Sequence, residues 1–272
     1  MFSNQFIKEI SQYERQICLV SGGYHSSVSA LELNELGFEN VILLNNRTYL
    51  EEPFSLAIMN QVAAITKYPL IRAKPNLKER PGMILRESFE KLRVEKVSTL
   101  MDKNNSYRDV IPCCRKLKKS PGKKWYKENK INFCKDVIIS SLCAYEGGIF
   151  SNRWRRMKEL RDWNTFLRFH TKIGSVWYAY PYRDYTSKRD ELKFYRYLRD
   201  KGIMPEHSGC IVCPIRVARM IKRKKYYDCI DLRYYCKRNK LNLKDFGIFG
   251  NQISIDKFIT EQKDLEREVS RS

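Results

Sequence analysis

The sequence predicts an α/β fold in which a parallel sheet of about five strands is flanked by helices and followed by a basic, mainly helical C-terminal part. Apolar runs of strand length alternate with segments of helical periodicity along the first part of the chain, an order typical of a parallel sheet with right-handed crossovers. Hydrophobic residues make up 43% of the 272 positions, which is enough for a sizeable core. We therefore expect one α/β domain over residues 1–205 and a second region over 206–272.

The first helices and strands are predicted from apolar periodicity and from residues at which helices typically begin or end. Gly37 is expected to end the first predicted helix, and acidic residues open the second, where the helix dipole favours them. In order, the predicted elements are a strand at 16–20, a helix at 27–37, a strand at 41–46, a helix at 51–67 and a strand at 69–73.

The rest of the chain is less regular. Pro181 suits a sheet edge or the end of a strand, and Gly202 is expected to end a helix. The predicted segments are a mixed-charge helical pattern at 84–104, a basic stretch at 113–130, a buried strand at 136–143, a basic and aromatic stretch at 153–169, an alternating strand at 175–182, a helix at 188–201 and a charged helical tail from residue 251.

The charge of the chain indicates an anionic partner. Lysine and arginine number 52 against 31 acidic residues, which gives a net charge of +21. Nucleic acid is the leading candidate, and the alternative is a lysine-rich protein without such a partner. The N-terminal residues do not form a secretory signal, and no apolar stretch could span a membrane. We expect a cytoplasmic protein, in which the nine cysteines are better suited to metal binding or catalysis than to disulfides.

A glycine- and serine-rich stretch follows the first predicted strand. Glycines allow close backbone approach, serine hydroxyls can donate hydrogen bonds, and a helix N-terminus favours a phosphate. The alternative is a polar turn that only caps a helix. The residues of this candidate phosphate loop are Ser21, Gly22, Gly23, His25, Ser26 and Ser27.

Two cysteine pairs form a second candidate site. Cys113 and Cys114 are adjacent, and Cys210 and Cys213 form a Cys-x-x-Cys pair. Four thiolates can complete a tetrahedral zinc site or an iron–sulfur cluster. Two alternatives stay open: the chain binds no metal, or a local site is formed by Cys210, Cys213, Cys229 and Cys236. Three further cysteines stand in apolar runs and are expected in the core: Cys18, Cys134 and Cys143.

These motifs together resemble the phosphoadenosine-phosphosulfate (PAPS) reductase-like family of the PP-loop superfamily, over about residues 16–225. The resemblance implies that the candidate phosphate loop binds ATP or a related adenine nucleotide, which magnesium can accompany. It further implies that Arg153 and Arg156 lie near the nucleotide. It also implies a 4Fe-4S cluster, with zinc as the alternative, held by Cys113, Cys114, Cys210 and Cys213. The sequence departs from the family pattern at His25, where relatives carry aspartate, and it has no cysteine after Cys236.

The resemblance implies an enzyme, and the basic residues suggest its substrate. The first hypothesis is adenylation or sulfuration of a nucleic acid, DNA or tRNA, with a sulfur-donor protein as a further partner. The second is a sulfonucleotide reductase that uses an external thiol. The third is a non-catalytic nucleic-acid-binding protein with a degenerate loop. No catalytic residue is identified from the sequence. Basic residues flank both cysteine pairs: Lys116, Lys118, Lys119, Lys123 and Lys124 near the first, and Arg216, Arg219, Lys222 and Arg223 after the second. The aromatic residues Trp154, Trp163, Tyr226 and Tyr227 stand among basic residues.

Overall fold

The computed structural model describes most of the first 204 residues. The predicted C-terminal region, and with it the Cys-x-x-Cys pair, lies outside the described residues, as do most of the helical pattern at 84–104 and the tail from 251. The described residues are 1–49, 51, 53–76, 83–85, 87–88, 111–144, 152–171 and 175–204.

Six strands form one mixed sheet in the order β3-β2-β1-β4-β6-β5. The first five strands of this order run parallel, and β5 pairs antiparallel with β6 at the edge. The strands are β1 Arg15–Leu19, β2 Val41–Asn46, β3 Leu70–Ala73, β4 Asp136–Ile139, β5 Leu167–His170 and β6 Val176–Ala179.

Helices cover both faces of the sheet, as its parallel strands require. They are α1 Asn4–Ile10, α2 Tyr24–Glu35, α3 Pro53–Thr66, a π-helix Cys114–Lys119 that continues into α4 Ser120–Glu128, α5 Asn152–Asp162, and a 3-10 turn Lys188–Asp190 that leads into α6 Glu191–Asp200. No helix of the described residues is long and apolar enough to cross a membrane.

The core has two layers, one on each face of the sheet. On one face, Phe6, Val28, Met59 and Phe194 bring α1, α2, α3 and α6 onto the strands. On the other face, Tyr126 of α4 and the buried residues of α5 pack against the strands. Side chains along β1 alternate between the two layers, so that Cys18 packs in the first layer and Ile17 in the second.

The observed fold confirms the predicted α/β class and corrects several details. The described residues form six strands, in agreement with a predicted sheet of about five. The additional β5 was predicted only as part of a basic and aromatic stretch, because Leu-Arg-Phe-His is short and half-exposed. The short α1 was not predicted, although Ser3 caps it by accepting a hydrogen bond from the Phe6 N–H. Pro181 is the second residue after β6, close to the strand end that was one of its two predicted places.

The cysteines of the apolar runs do not all lie in the core. Cys18 and Cys143 are buried, as predicted, but Cys134 is exposed. Cys134 belongs to the turn before β4, where its N–H donates to Asn132 Oδ1 at 2.8 Å. Its apolar neighbour Phe133 is also exposed, so this run is a surface turn and not the beginning of the strand.

Candidate functional site: the phosphate loop at the carboxyl ends of the strands

The candidate phosphate loop lies where the direction of chain connection reverses. From β1 the chain passes to β2 on one side, and β4 occupies the other side of β1. In open α/β sheets, ligands bind in the crevice outside the carboxyl ends of the strands at such a switch point. Ser21, Gly22 and Gly23 follow β1 at this edge, and Ser140 and Ser141 follow β4. The topology therefore puts two polar segments beside one crevice.

Gly22 is held in a conformation and a position that exclude a side chain. Its φ is +76°, which L residues rarely adopt. A Cβ at Gly22 would lie 2.2 Å from the carbonyl oxygen of Ser55 and 2.6 Å from its Cα, both of them backbone atoms of α3. The loop after β1 is thus closely packed beneath the first turn of α3, and only glycine fits there.

Serine hydroxyls organise the turn into α2. Ser26 Oγ accepts from the Ser21 N–H at 3.2 Å and donates to the Gly23 carbonyl at 3.0 Å. Ser27 Oγ donates to the same carbonyl at 3.0 Å. Gly23 is the N-cap of α2 and has no side chain to cap it. The first N–H groups of α2 therefore point toward the loop, and the positive end of the helix dipole lies there.

The helix begins three residues earlier than its sequence predicts. The predicted helix starts at residue 27, whereas α2 starts at Tyr24, so that His25, Ser26 and Ser27 lie in its first turn. The polar residues suggested a loop, but a helix N-terminus accepts serines readily because their hydroxyls bond local backbone groups. The phosphate loop is consequently shorter and closer to the helix than expected.

Two buried polar side chains lie beside the loop. Asn45, at the end of β2, donates through Nδ2 to the Val20 carbonyl at 3.0 Å, and among the described residues its Oδ1 has no hydrogen-bond partner. The hydroxyl of Ser55, directly above Gly22, also has none. The side chains of Asn45 and Ser55 are 4% and 1% exposed. Buried polar groups are normally paired, so these two atoms indicate a place for a polar ligand.

His25 occupies an aromatic environment. Its ring lies edge-on to Phe194 of α6, with centroids 4.6 Å apart, and 4.2 Å from the ring of Tyr24. Tyr182 is a third neighbour at 6.1 Å. The side chain is 7% exposed. A carboxylate would be poorly solvated in this cluster, which explains in physical terms why an imidazole suits the position where the family pattern has aspartate.

A chain of hydrogen bonds ties α2 to the segments that follow β4 and β6. Ser29 Oγ donates to Tyr182 OH at 2.9 Å, and Tyr182 OH donates to Glu32 Oε2 at 3.2 Å. Because the Ser29 proton is used in this way, the 2.7 Å contact between Ser141 Oγ and Ser29 Oγ has Ser141 as its donor. Burial raises the pKa of Glu32. The chain fixes α2 relative to β4, across the crevice.

Arg156 lies on the opposite face of the sheet, near the carboxyl end of β6. Its guanidinium donates to Tyr180 OH at 3.4 Å, and Tyr180 OH is 3.0 Å from His170 Nε2. Among the described residues, Arg156 has no carboxylate partner. Arg153 stands one turn earlier in α5, and its side chain lies outside the description. The two predicted arginines therefore belong to the first turns of one helix that begins at this edge.

The Cys-Cys pair opens the π-helix. Cys113 is buried, and its N–H donates to Ser88 Oγ at 2.9 Å; Cys114 is half-buried. The π-helix lies against β2, and π-helical turns occur often at functional sites. Within the described part of the chain, no three potential ligands gather at one point, and the other two predicted thiolates, Cys210 and Cys213, lie outside it.

No family model and no curated protein sequence matches the chain. This chain is similar in fold to a PAPS reductase. The structure in question is the phosphate complex of the PAPS reductase from Candida auris, with 13% identity, a TM-score of 0.44, and coverage of 73% of this chain and 78% of that one.

A second similar structure is the U34-tRNA thiolase NcsA from Methanococcus maripaludis with its 4Fe-4S cluster. The identity is 14% and the TM-score is 0.39, with coverage of 85% of this chain and 79% of the thiolase. At these identities and scores the likeness transfers neither activity to this chain.

Proposed function

We propose that the chain is a PP-loop enzyme that binds ATP or a related adenine nucleotide and uses it to modify a nucleic acid, DNA or tRNA, by adenylation or sulfuration. The observation that carries the proposal is the arrangement around Gly22. A glycine with φ of +76°, the open N-terminus of α2 and the unpartnered Asn45 and Ser55 atoms meet at the carboxyl end of β1. This combination suits a phosphate group.

The loop would hold phosphate by backbone donors and hydroxyls rather than by cations. The first N–H groups of α2 offer aligned donors, and the dipole of this twelve-residue helix favours negative charge. Ser21 is exposed at the mouth of the loop and can turn its hydroxyl toward a bound phosphate. The side chains of Ser26 and Ser27 are already bonded to Gly23, so their role is to shape the turn. His25 offers no carboxylate for a magnesium ion.

The cysteine pairs would hold a 4Fe-4S cluster, with zinc as the alternative. The described pair fits this role in part, because Cys113 and Cys114 present two thiols at one helix start, and Cys210 and Cys213 would supply the others. A bound cluster would provide redox or sulfur-handling chemistry. The test is iron and sulfide analysis after anaerobic purification. Cys113→Ala should abolish the visible absorption, whereas Cys134→Ala, a matched change at an exposed cysteine, should leave it unchanged.

A basic helix surface supports a nucleic-acid partner. The π-helix, α4 and the turn that follows α4 expose a series of cations to solvent. One neighbouring lysine, Lys124, is paired with Glu128 at 3.5 Å. A group of exposed cations of this kind suits a phosphate backbone. The exposed members are Arg115, Lys118, Lys123, Lys127 and Lys130.

The proposed activity is tested by nucleotide turnover. Anaerobically purified protein is incubated with ATP labelled at the α-phosphate, with and without tRNA or DNA, and AMP and pyrophosphate are measured. Turnover stimulated by nucleic acid is the expected result. Release of sulfite from adenylyl sulfate would instead identify a sulfonucleotide reductase that uses an external thiol.

A second candidate function is nucleic-acid binding without catalysis. The observation that favours it is the aromatic burial of His25, which leaves the loop without the aspartate of the family pattern. In that case the protein would bind nucleic acid while neither binding ATP nor producing AMP.

A further inference from the structure

A buried polar cluster occupies the edge of the sheet on the face opposite the phosphate loop. Tyr178 and Tyr180, two residues apart at the end of β6, stack with ring centroids 6.2 Å apart. His170 of β5 contacts both rings, and Arg156 of α5 lies with its guanidinium carbon 5.9 Å from the Tyr180 centroid. Three elements therefore direct polar groups to one point on this face of the sheet, next to β6.

The donor and the acceptor in each hydrogen bond of the Tyr180 hydroxyl follow from the chemistry of its partners. Arginine can only donate, so the Tyr180 oxygen accepts from Arg156 at 3.4 Å. Tyr180 is 1% exposed, and in the described part of the chain its hydroxyl has just one other partner, His170 Nε2 at 3.0 Å. The hydroxyl proton is satisfied only if Nε2 accepts it. His170 is therefore the tautomer that carries its proton on Nδ1.

The electrostatic surroundings agree with a neutral imidazole. Burial, followed by the positive charges of Arg156 and Arg168, lowers the pKa of His170 to about 4. Tyr178 and Tyr180 are the other titratable groups against the ring, and burial raises the pKa of both. Near neutral pH, the side chains of His170, Tyr178 and Tyr180 beside Arg156 are therefore all uncharged.

Arg156 differs from Arg168 and Arg15, two arginines of the sheet, in having no carboxylate partner among the described residues. Arg168 is paired with Glu159 at 2.5 Å, and Arg15 is paired with the buried Asp136 at 2.7 Å. Within the described ranges, Arg156 has only the phenol oxygen of Tyr180 as a hydrogen-bond partner, which orients the guanidinium without neutralising it. An arginine supported in this way retains its charge and most of its five donors for an anion.

We infer that Tyr180 and His170 are positioning residues that hold Arg156, with its charge uncompensated, for an anionic group of the nucleotide. The inference rests on the proposed function. β6 is two strands from β1, about 10 Å away at the usual strand spacing. A nucleotide whose one phosphate lies on the loop after β1 can extend across the strand ends toward Arg156.

The test compares ATP affinity across four variants by isothermal titration calorimetry. Arg156→Gln should weaken ATP binding by about tenfold, equivalent to the loss of about 1.4 kcal/mol. Tyr180→Phe, which leaves the ring in place, should weaken it by a factor of about three to five. Tyr178→Phe is the matched control, because its hydroxyl contacts Tyr126 OH at 3.3 Å and not Arg156. The Tyr180→Phe/Arg156→Gln double variant should bind as weakly as Arg156→Gln alone.

A second measurement does not depend on affinity. The ¹⁵N chemical shifts of the His170 ring should show protonated Nδ1 and unprotonated Nε2 at pH 7, and Tyr180→Phe should shift Nε2. Equal ATP affinity of Tyr180→Phe and Tyr178→Phe, or a proton on Nε2, would overturn the inference while leaving the proposed function intact. A wild-type protein that binds no ATP would overturn the proposed function, and this inference with it.

Discussion

Replacing Gly22 with alanine is expected to destabilise the protein more than the same change at any other described glycine of positive φ. A Cβ at Gly22 would lie 2.2 Å from the Ser55 carbonyl oxygen, whereas ordinary contacts lie near 3.5 Å, so the loop and α3 must separate by about 1 Å. Both partners are backbone, and no side-chain rotation can relieve the contact.

The chain offers a matched control for the backbone conformation alone. Gly37 has the same φ of +76°, and a Cβ there meets no atom within 4 Å. Gly37→Ala should therefore cost about 1–2 kcal/mol, the ordinary penalty of a left-handed residue. Gly22→Ala should cost about 1–3 kcal/mol more, the typical range for forced packing.

The assay is urea unfolding followed by tryptophan fluorescence, with the free energy of unfolding extrapolated to water for each variant. Gly202→Ala, at φ +69° and with nothing within 4 Å of its Cβ, should behave like Gly37→Ala. Equal destabilisation by Gly22→Ala and Gly37→Ala would refute the reasoning, because it would mean that the loop is not packed against Ser55.

Three other perturbations test the electrostatics and burial of the fold. Asp136→Asn breaks a buried pair with Arg15, at 2.7 and 3.0 Å, and should cost about 2–4 kcal/mol in urea unfolding, against less than about 0.5 kcal/mol for Lys124→Gln in the exposed pair with Glu128. The pKa of His170 is lowered to about 4 in the folded protein, so below pH 6.5 the unfolded chain binds more protons than the folded one. As pH falls from 6.5 to 4, the free energy of unfolding of the wild type should therefore decrease by about 1–2 kcal/mol more than that of His170→Gln, after allowance for solvent screening. Burial raises the pKa of Cys18 to about 12, so a thiol reagent should label exposed Cys134 in minutes and Cys18 only after unfolding; labelling of both at one rate would contradict the buried placement.

The sequence reveals the central strands well because they are buried on both faces. Val41–Asn46 matches its predicted bounds, and β1 and β4 are found within one to four residues of theirs. The edge strand β3, with one buried residue, is also found within one residue of its predicted bounds, from its apolar run. Continuous apolar runs of this kind are typical of parallel strands. The edge strand Leu167–His170 has no such signal, because its pattern is half-exposed and its pairing with β6 is a tertiary contact.

The candidate site is only partly visible in the sequence. Glycine and serine types point to the loop after β1, but the sequence does not show that Gly22 lies beneath Ser55 or that Asn45 has an unpartnered oxygen. Those facts depend on the approach of α3 and β2 to the loop, which no local pattern encodes. Similarly, the contacts of Arg156 with Tyr180 and of Tyr180 with His170 join three separate elements. A single sequence gives no sign that these residues meet.

The central claim is that the loop after β1 binds the phosphates of an adenine nucleotide. Ser21 is exposed at the mouth of this loop, so Ser21→Asp places a negative charge beside the proposed phosphates with little effect on packing. Ser3→Asp is the matched control, since Ser3 caps α1 through a hydrogen bond from the Phe6 N–H and aspartate caps helices equally well.

The most direct test is therefore the dissociation constant of ATP, measured by isothermal titration calorimetry for the wild type and both variants. We expect the wild type and Ser3→Asp to bind ATP with equal affinity and Ser21→Asp to bind at least about tenfold more weakly, because like charges repel at the loop. Equal affinity of all three proteins, or no binding by the wild type, would contradict the claim.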